Sequence, residues 1–187
     1  MAHGPVNVPC MPGEFLAWGN ALSMPYAASP LIYTGEEQSP SWVNYDPDKF
    51  IIGGETSGIN AGSYTASFTP RPGYEWSGGG NAPRYVGWII DKAQGSLSLD
   101  KNEMSFDAPG ASDTAAVTKA GDGTVTAISS DTGVATVNVN VKGTIVEVKV
   151  VASGTATITV NVAEGTNHTV PDSASIDVTA DIEQPHD

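Results

Sequence analysis

The sequence predicts an all-β protein in which two antiparallel β-sandwiches in tandem follow a short extended N-terminal arm. Gly and Pro account for 21 and 13 of the 187 residues, whereas charged residues make up only 16%, and this balance favours short strands joined by turns over helical bundles. Runs of alternating apolar and polar residues recur along the chain, separated by turn residues. Trp, Tyr and Phe all lie at or before Phe106, so the two halves are expected to build different cores.

Residues 1–27 are predicted to form the N-terminal arm. Four prolines interrupt regular structure there, and we expect at most a short helix around residues 13–20. A flexible leader is one interpretation. The other is a segment that docks on a partner, because a disordered tail rarely carries so many large apolar side chains. The residues that favour docking are Phe15, Leu16, Trp18, Met24 and Tyr26.

Residues 28–92 are predicted to form the first sandwich, with strands at 31–33, 42–45, 50–53, 62–70 and 85–90. In the strand at 62–70, Tyr64, Ala66 and Phe68 alternate with Ser and Thr, which predicts one buried and one exposed face. The letters RPGY at 71–74 predict a turn, in which Pro fixes φ and Gly permits a positive φ.

Residues 93–187 are predicted to form the second sandwich, with a small core of β-branched residues. Five strand-like runs begin at Val125, Val134, Thr144, Thr155 and Ala174, and turn residues separate them. The boundary between the sandwiches is placed at residues 92–96. That segment is too short for a free linker, so we expect the sandwiches to stack end to end with limited flexibility.

These runs carry a family resemblance. Residues 94–181 resemble a bacterial immunoglobulin-like domain of group 2, through GSLSLDKNEMSF, SSDTGVATVN and SGTATITV. Residues 31–92 are similar to another bacterial immunoglobulin-like repeat, through YTGEEQSP, NYD, NAGSYTASFTPRPGYEW and WIIDKA. The resemblance implies stalk proteins, adhesins and phage virion proteins that carry such domains.

Charge and composition exclude several function classes. The net charge of −13 argues against binding to nucleic acid, which needs clustered Lys and Arg. A single cysteine, Cys10, excludes an intramolecular disulfide and a multi-cysteine metal site. No segment has the apolar length of a membrane span, and the first twenty residues do not have the pattern of a signal peptide. We therefore expect a protein made and retained in the cytoplasm of its host cell.

Few residues suggest chemistry, and we expect neither catalysis nor a cofactor or metal. His168 lies in a predicted loop, without a second motif for a Ser-His-Asp arrangement. Asp46 and Asp48 flank Pro47, and a turn explains the pair without Ca²⁺. Glycines at 78–80 lack the Lys-Ser/Thr of a phosphate loop. Tyr74 and Trp76 are candidate contacts to a glycan, although Trp76 in a sandwich core is the favoured alternative.

The combined interpretation is a non-enzymatic phage structural protein on the virion surface, a capsid decoration or head-fibre protein. Its partner would be the major capsid protein or another virion protein, with self-association on the particle and weak contacts to host-surface glycans as further expectations. A phage tail-tube or tail-fibre accessory protein and a module of a bacterial adhesin are the alternatives. Fold alone does not decide among them.

Overall fold

The computed structural model describes residues 20–183, which form sixteen β-strands and no α-helix. The first eight strands build the first sandwich, residues 20–92: β1 (Ala21–Leu22), β2 (Tyr26–Ala27), β3 (Leu31–Ile32), β4 (Trp42–Val43), β5 (Phe50–Gly54), β6 (Gly62–Pro70), β7 (Glu75–Trp76) and β8 (Arg84–Asp91). The other eight build the second sandwich, residues 93–183: β9 (Ser96–Leu99), β10 (Glu103–Phe106), β11 (Ser112–Ala120), β12 (Val125–Ser129), β13 (Ala135–Val139), β14 (Ile145–Val150), β15 (Gly154–Val162) and β16 (Ala174–Ala180).

The first sandwich is built on a four-stranded sheet in the order β3-β8-β6-β5. Alternation along β6 buries Ala66 and Phe68 and exposes Thr65, as the sequence predicts. A two-stranded sheet, β2-β4, packs on this sheet through Trp42, whose ring meets Phe68 edge-on at 4.9 Å between centroids. The core is therefore largely aromatic, and its fully or nearly buried members are Phe50, Ala66, Phe68, Trp76, Trp88 and Ile90.

Residues 20–27 belong to the first sandwich, which differs from their predicted place in the arm. β1 pairs in parallel with β7, and β2 pairs antiparallel with β4. Leu22 and Met24 pack against the aromatic core, and the Pro25 side chain is fully buried. These residues join the sandwich because burial removes their apolar side chains from water, which stabilises the fold. Two-residue strands are enough to hold them there, although the sequence shows little periodicity.

The second sandwich has the strand arrangement of an immunoglobulin-like fold. One sheet has the order β13-β14-β11-β9 and the other β10-β16-β15-β12. When the strands are lettered in chain order, with β9 and β10 as two parts of strand A, the sheets read D-E-B-A and A-G-F-C, which is the immunoglobulin-like division into ABED and CFG. β10 pairs in parallel with β16, as β3 does with β8 in the first sandwich, while most other pairs are antiparallel.

The core of the second sandwich consists of small aliphatic residues, as the sequence predicts. Val146, Val148 and Val150 alternate on β14, and Ile158 and Val160 face them from β15, all of them at most 1% exposed. Each of the five predicted runs coincides with one strand: β12 and β16 begin at the predicted residue, β13 and β14 begin one residue later, and β15 begins one residue earlier. β11 has no counterpart among the predicted strands.

Candidate functional site

The connection between β15 and β16 reaches back to the first sandwich and forms the contact between the two sandwiches. We call its residues 164–169 the clasp loop. Its backbone pairs with the segment that joins the sandwiches: the N–H of Ala93 donates to Asn167 O at 2.9 Å, and the N–H of Thr169 donates to Ala93 O at 2.9 Å. The joining segment is therefore part of a small parallel bridge and is not a free linker.

The Asp122 carboxylate holds the clasp loop in shape. Asp122 follows β11 in a turn, and its Oδ2 accepts the N–H of Thr166 at 2.8 Å and that of Asn167 at 3.2 Å. Its Oδ1 lies 3.3 Å from His168 Nδ1. Gly165 is required beside it, because a Cβ at that position would overlap the Asp122 carboxylate.

Asn167 and His168 of the clasp loop contact segments beside β6 and β3 of the first sandwich. The Asn167 Oδ1 accepts the N–H of Ala61 at 2.8 Å, and its Nδ2 donates to Asn60 Oδ1 at 3.2 Å. The His168 ring meets Tyr33 edge-on, with 5.3 Å between centroids and 77° between planes. These contacts join the loop before β6 and the end of β3 to the second sandwich.

Lys92, at the end of the first sandwich, adds a charged contact. Its Nζ lies 2.8 Å from Glu164 Oε1 and donates to Gly165 O at 2.8 Å. Both side chains of the ion pair are partly exposed, so the pair contributes little to stability by itself. The pair places the Lys92 ammonium group next to Glu164 and Gly165, the first residues of the clasp loop.

The electrostatics of Asp122 follow from its hydrogen bonds. Partial desolvation raises the pKa of Asp122, but the backbone N–H groups of Asp122 itself and of Asn167, the His168 ring and the Thr166 N–H outweigh it. The net result is a pKa below the ordinary value of an aspartate. The carboxylate is thus stabilised in its charged form by the loop that it holds.

The two candidate glycan residues have different environments. Trp76 is 1% exposed and donates its Nε1–H to Ala82 O at 2.8 Å, so its indole offers no face to a sugar ring. This corrects its candidacy and agrees with the favoured alternative, a place in the core. Tyr74 is half-buried and follows the turn at Gly73, whose φ is +95°, and its role stays a prediction.

The candidate docking residues fall in two groups. Phe15, Leu16 and Trp18 lie outside the described residues. Met24 is half-buried against the first core, which leaves less of it for a partner, whereas Tyr26 is 51% exposed. Whether any of them contacts a partner stays a prediction.

The candidates for chemistry are engaged in structural contacts. Asp46 Oδ2 lies 3.0 Å from Lys49 Nζ, and Asp46 Oδ1 accepts the N–H of Asp48 at 3.0 Å, which is the predicted turn. The His168 ring contacts Asp122 and Tyr33, as described above. Among residues 20–183, no three side chains of His, Cys, Asp or Glu group together as metal ligands. That part of the chain also contains no helix with the length and apolarity of a membrane span.

Sequence reasoning missed the contributions of Tyr33, Asn60, Asp122 and Asn167 to the junction. One signal was available: the connection between β15 and β16 is long for neighbouring antiparallel strands, and long ordered loops commonly carry contacts of their own. Residues 122–124 are Asp-Gly-Thr and residues 164–167 are Glu-Gly-Thr-Asn. Asp, Gly and Asn are common turn residues, which explains why both segments were interpreted as plain turns.

Comparisons with known proteins give weak structural similarities and assign no family to the chain. No protein-family model matches the chain, and no curated protein is significantly similar to it. Among solved structures, domains 4 and 5 of the S-layer protein SbsC are similar at 24% identity, with 72% of each chain covered and a TM-score of 0.42. Fibronectin(III)-like modules of Clostridium thermocellum CbhA are 12% identical, over 88% of this chain and 99% of theirs, with a TM-score of 0.34. The D00-D0 domain of intimin is 13% identical, over 81% and 98%, with a TM-score of 0.30. The strand order of the second sandwich and the layers of the first define the all-β fold.

Proposed function

We propose that the chain is a non-enzymatic structural protein of a bacteriophage particle, a capsid decoration or head-fibre protein whose two sandwiches project from the surface. The observation that carries the proposal is the closed junction between the sandwiches. A short joining segment is paired with the clasp loop, and Asn167, His168 and Lys92 bridge the two units. A projecting element needs such a junction, because a free linker would let the outer module fold back.

The anchor in this proposal lies before the first strand. The sequence places the large apolar residues Phe15, Leu16 and Trp18 shortly before Asn20, whose carbonyl accepts the Glu75 N–H at 3.1 Å. The chain thus enters the first sandwich beside β7, and residues 1–19 are the segment assigned to the major capsid protein or another virion protein. Self-association on the particle would use the same segment.

The outward end in this proposal is the second sandwich. Residues 93–187 contain thirteen acidic and four basic residues, a net charge of −9, which keeps such a surface well solvated and disfavours non-specific association. Tyr74, the remaining candidate for weak contacts to host-surface glycans, belongs to the first sandwich and lies next to β7 on the anchored side; such contacts would gain strength from many copies on one particle.

The test is incorporation into particles after removal of residues 1–19. Deletion up to residue 27 would be unsuitable, because it removes β1 and β2 from the first sandwich. Phage particles are produced with wild-type protein, with the deletion, and with the triple variant Phe15→Ala/Leu16→Ala/Trp18→Ala, and bound protein is measured after sedimentation. We expect both altered proteins to be lost from the particles while the urea midpoint of the first sandwich, followed by the fluorescence of Trp42, Trp76 and Trp88, stays at the wild-type value.

A matched control is Val6→Ala/Val8→Ala, which also removes apolar side chains before residue 20 and should leave incorporation unchanged. Wild-type levels of the triple variant on particles would contradict the anchor. Electron microscopy with gold-labelled protein then locates the protein: label on heads supports decoration, and label on tails supports the tail accessory alternative. Absence of the wild-type protein from particles would contradict a virion role and leave the adhesin module.

A further inference from the structure

We infer that the clasp loop fixes the second sandwich at one angle to the first, and that Asp122, which makes no hydrogen bond to the first sandwich, positions the loop for this task. The inference does not depend on the proposed function, since it concerns only contacts within the chain. It assigns a conformational role to Asp122, Asn167 and His168.

Hydrogen bonds within the second sandwich are sufficient to shape the clasp loop. The Asp122 carboxylate accepts two consecutive backbone N–H groups, those of Thr166 and Asn167, and approaches the His168 ring. Within the loop, the N–H of Gly165 donates to His168 O at 3.2 Å. These bonds set the directions in which the side chains of Asn167 and His168 leave the loop before any contact with the first sandwich.

The contacts across the junction are of two chemical kinds and lie on two different segments of the first sandwich. Asn167 makes two hydrogen bonds to the loop before β6, at Asn60 and Ala61. His168 packs edge-on against Tyr33, next to β3. Since these contacts lie on separate segments of the first sandwich, a rotation that keeps one of them breaks the other.

The joining segment has no freedom to change its backbone angles and so allow one sandwich to rotate against the other. Gly95 is buried, and a Cβ there would overlap the Thr169 carbonyl and crowd Pro171. The Gly95 N–H donates to Thr169 Oγ1 at 3.3 Å, and Ala93 is bonded on both sides to the clasp loop. The chain therefore crosses between the sandwiches while in contact with the clasp loop.

The experiment compares full-length wild type, Asp122→Ala and Asn167→Ala by ¹⁵N relaxation and amide hydrogen exchange. We expect the two sandwiches of the wild type to tumble with one common correlation time. Both variants should give shorter correlation times that differ between the sandwiches. The Ala61 amide, whose acceptor is the Asn167 side chain, should exchange roughly tenfold faster in both variants, the factor expected for loss of one hydrogen bond of ordinary strength.

The matched control is Asp131→Ala. The Asp131 Oδ1 also accepts a backbone N–H in a loop of the second sandwich, that of Gly133 at 2.8 Å, but it has no contact with the clasp loop. It should keep the wild-type correlation time and Ala61 exchange rate. Native amide signals of β15 and β16 confirm folding, and Asp122→Asn replaces Asp122→Ala if those signals are lost. Wild-type behaviour of the Asp122 variant would overturn its positioning role, and wild-type behaviour of Asn167→Ala would overturn the clasp.

Discussion

Trp76 is enclosed by contacts of different kinds, although it lies on a strand of two residues. Its ring lies 5.5 Å from that of Phe50, the Arg84 guanidinium carbon lies 4.7 Å above it, and its N–H is bonded to Ala82 O. Such a residue fastens β7 and the glycine-rich loop after it to the core. This explains why an aromatic residue beside a flexible-looking sequence is not available at the surface.

Trp76→Ala should lower the free energy of unfolding of the first sandwich by about 3–5 kcal/mol, because it leaves a large cavity and removes a satisfied donor. Urea unfolding followed by the fluorescence of Trp42 and Trp88 measures the change. Tyr85→Ala serves as the comparison, since Tyr85 is 71% exposed on β8 and its loss should cost no more than about 0.5 kcal/mol. Equal effects of the two variants would contradict the burial of Trp76.

Asp122 makes a pH-dependent contribution to stability. Its pKa is lower in the folded protein than the ordinary value of about 3.9. A depressed pKa stabilises the fold above the pKa of the unfolded chain, and this stabilisation is lost as the pH falls through the folded value. Asp122→Asn should therefore be less stable than wild type near neutral pH, and the difference should shrink below about pH 4. Urea midpoints of the β15 amide signals at several pH values test this, and a constant difference would contradict it.

At the scale of strands, the sequence predicted the strands whose apolar and polar residues alternate clearly. It missed the strands that form only because their side chains pack in the core. β6 was predicted with its correct limits because large apolar and small polar residues alternate over its length. β11 was missed because its buried residues are Ala115 and Val117 among Thr, Ala and Lys, which is a weak contrast. β1, β2 and β7 have two residues each, too few for any period, and they exist because their own side chains Leu22, Ala27 and Trp76 pack in the aromatic core. The junction contacts depend on the docking of two folded units, which no local pattern encodes.

The close packing of Gly95 in the joining segment predicts that a larger residue there destabilises the second sandwich. Gly95→Ala places a Cβ against the Thr169 carbonyl and should lower the free energy of unfolding of the second sandwich by about 1–3 kcal/mol. Gly62→Ala on β6 is the matched control: its added Cβ meets no atom within 4 Å, and the expected change is within about 0.5 kcal/mol. Urea unfolding followed by β15 amide signals and by tryptophan fluorescence separates the two sandwiches. A neutral Gly95→Ala would show that the joining segment has room to shift.

At the scale of the whole molecule, charge and aromatic content are divided unequally. Residues 28–92 contain seven acidic and four basic residues, a net charge of −3, against −9 for residues 93–187. The described tryptophans, Trp42, Trp76 and Trp88, lie in the first sandwich, and residues 93–187 contain no tryptophan, so tryptophan fluorescence carries no signal from the second sandwich. The second sandwich combines a small aliphatic core with a strongly acidic surface.

Salt should therefore stabilise the second sandwich more than the first. Screening weakens repulsion among like charges, so raising NaCl from about 20 mM to about 500 mM should move the urea midpoint of the β15 amide signals upward. The midpoint from tryptophan fluorescence should move less, because the first sandwich carries a third of the net charge of the second. A larger shift for the first sandwich would contradict self-repulsion as the cause.

The parallel pairs β3-β8 and β10-β16 have a mechanical consequence. In each sandwich an early strand lies in parallel beside the last strand, so a stretching force applied at the two chain ends pulls the paired strands along each other. The hydrogen bonds between the two strands lie across the direction of pull, share the load and must break together, whereas a hairpin pulled at its open end loses them one at a time. For β10 and β16, the bonds from Asp177 N to Asn102 O and from Asp181 N to Phe106 O extend the loaded stretch at both ends. Each sandwich is built to resist shear along the chain.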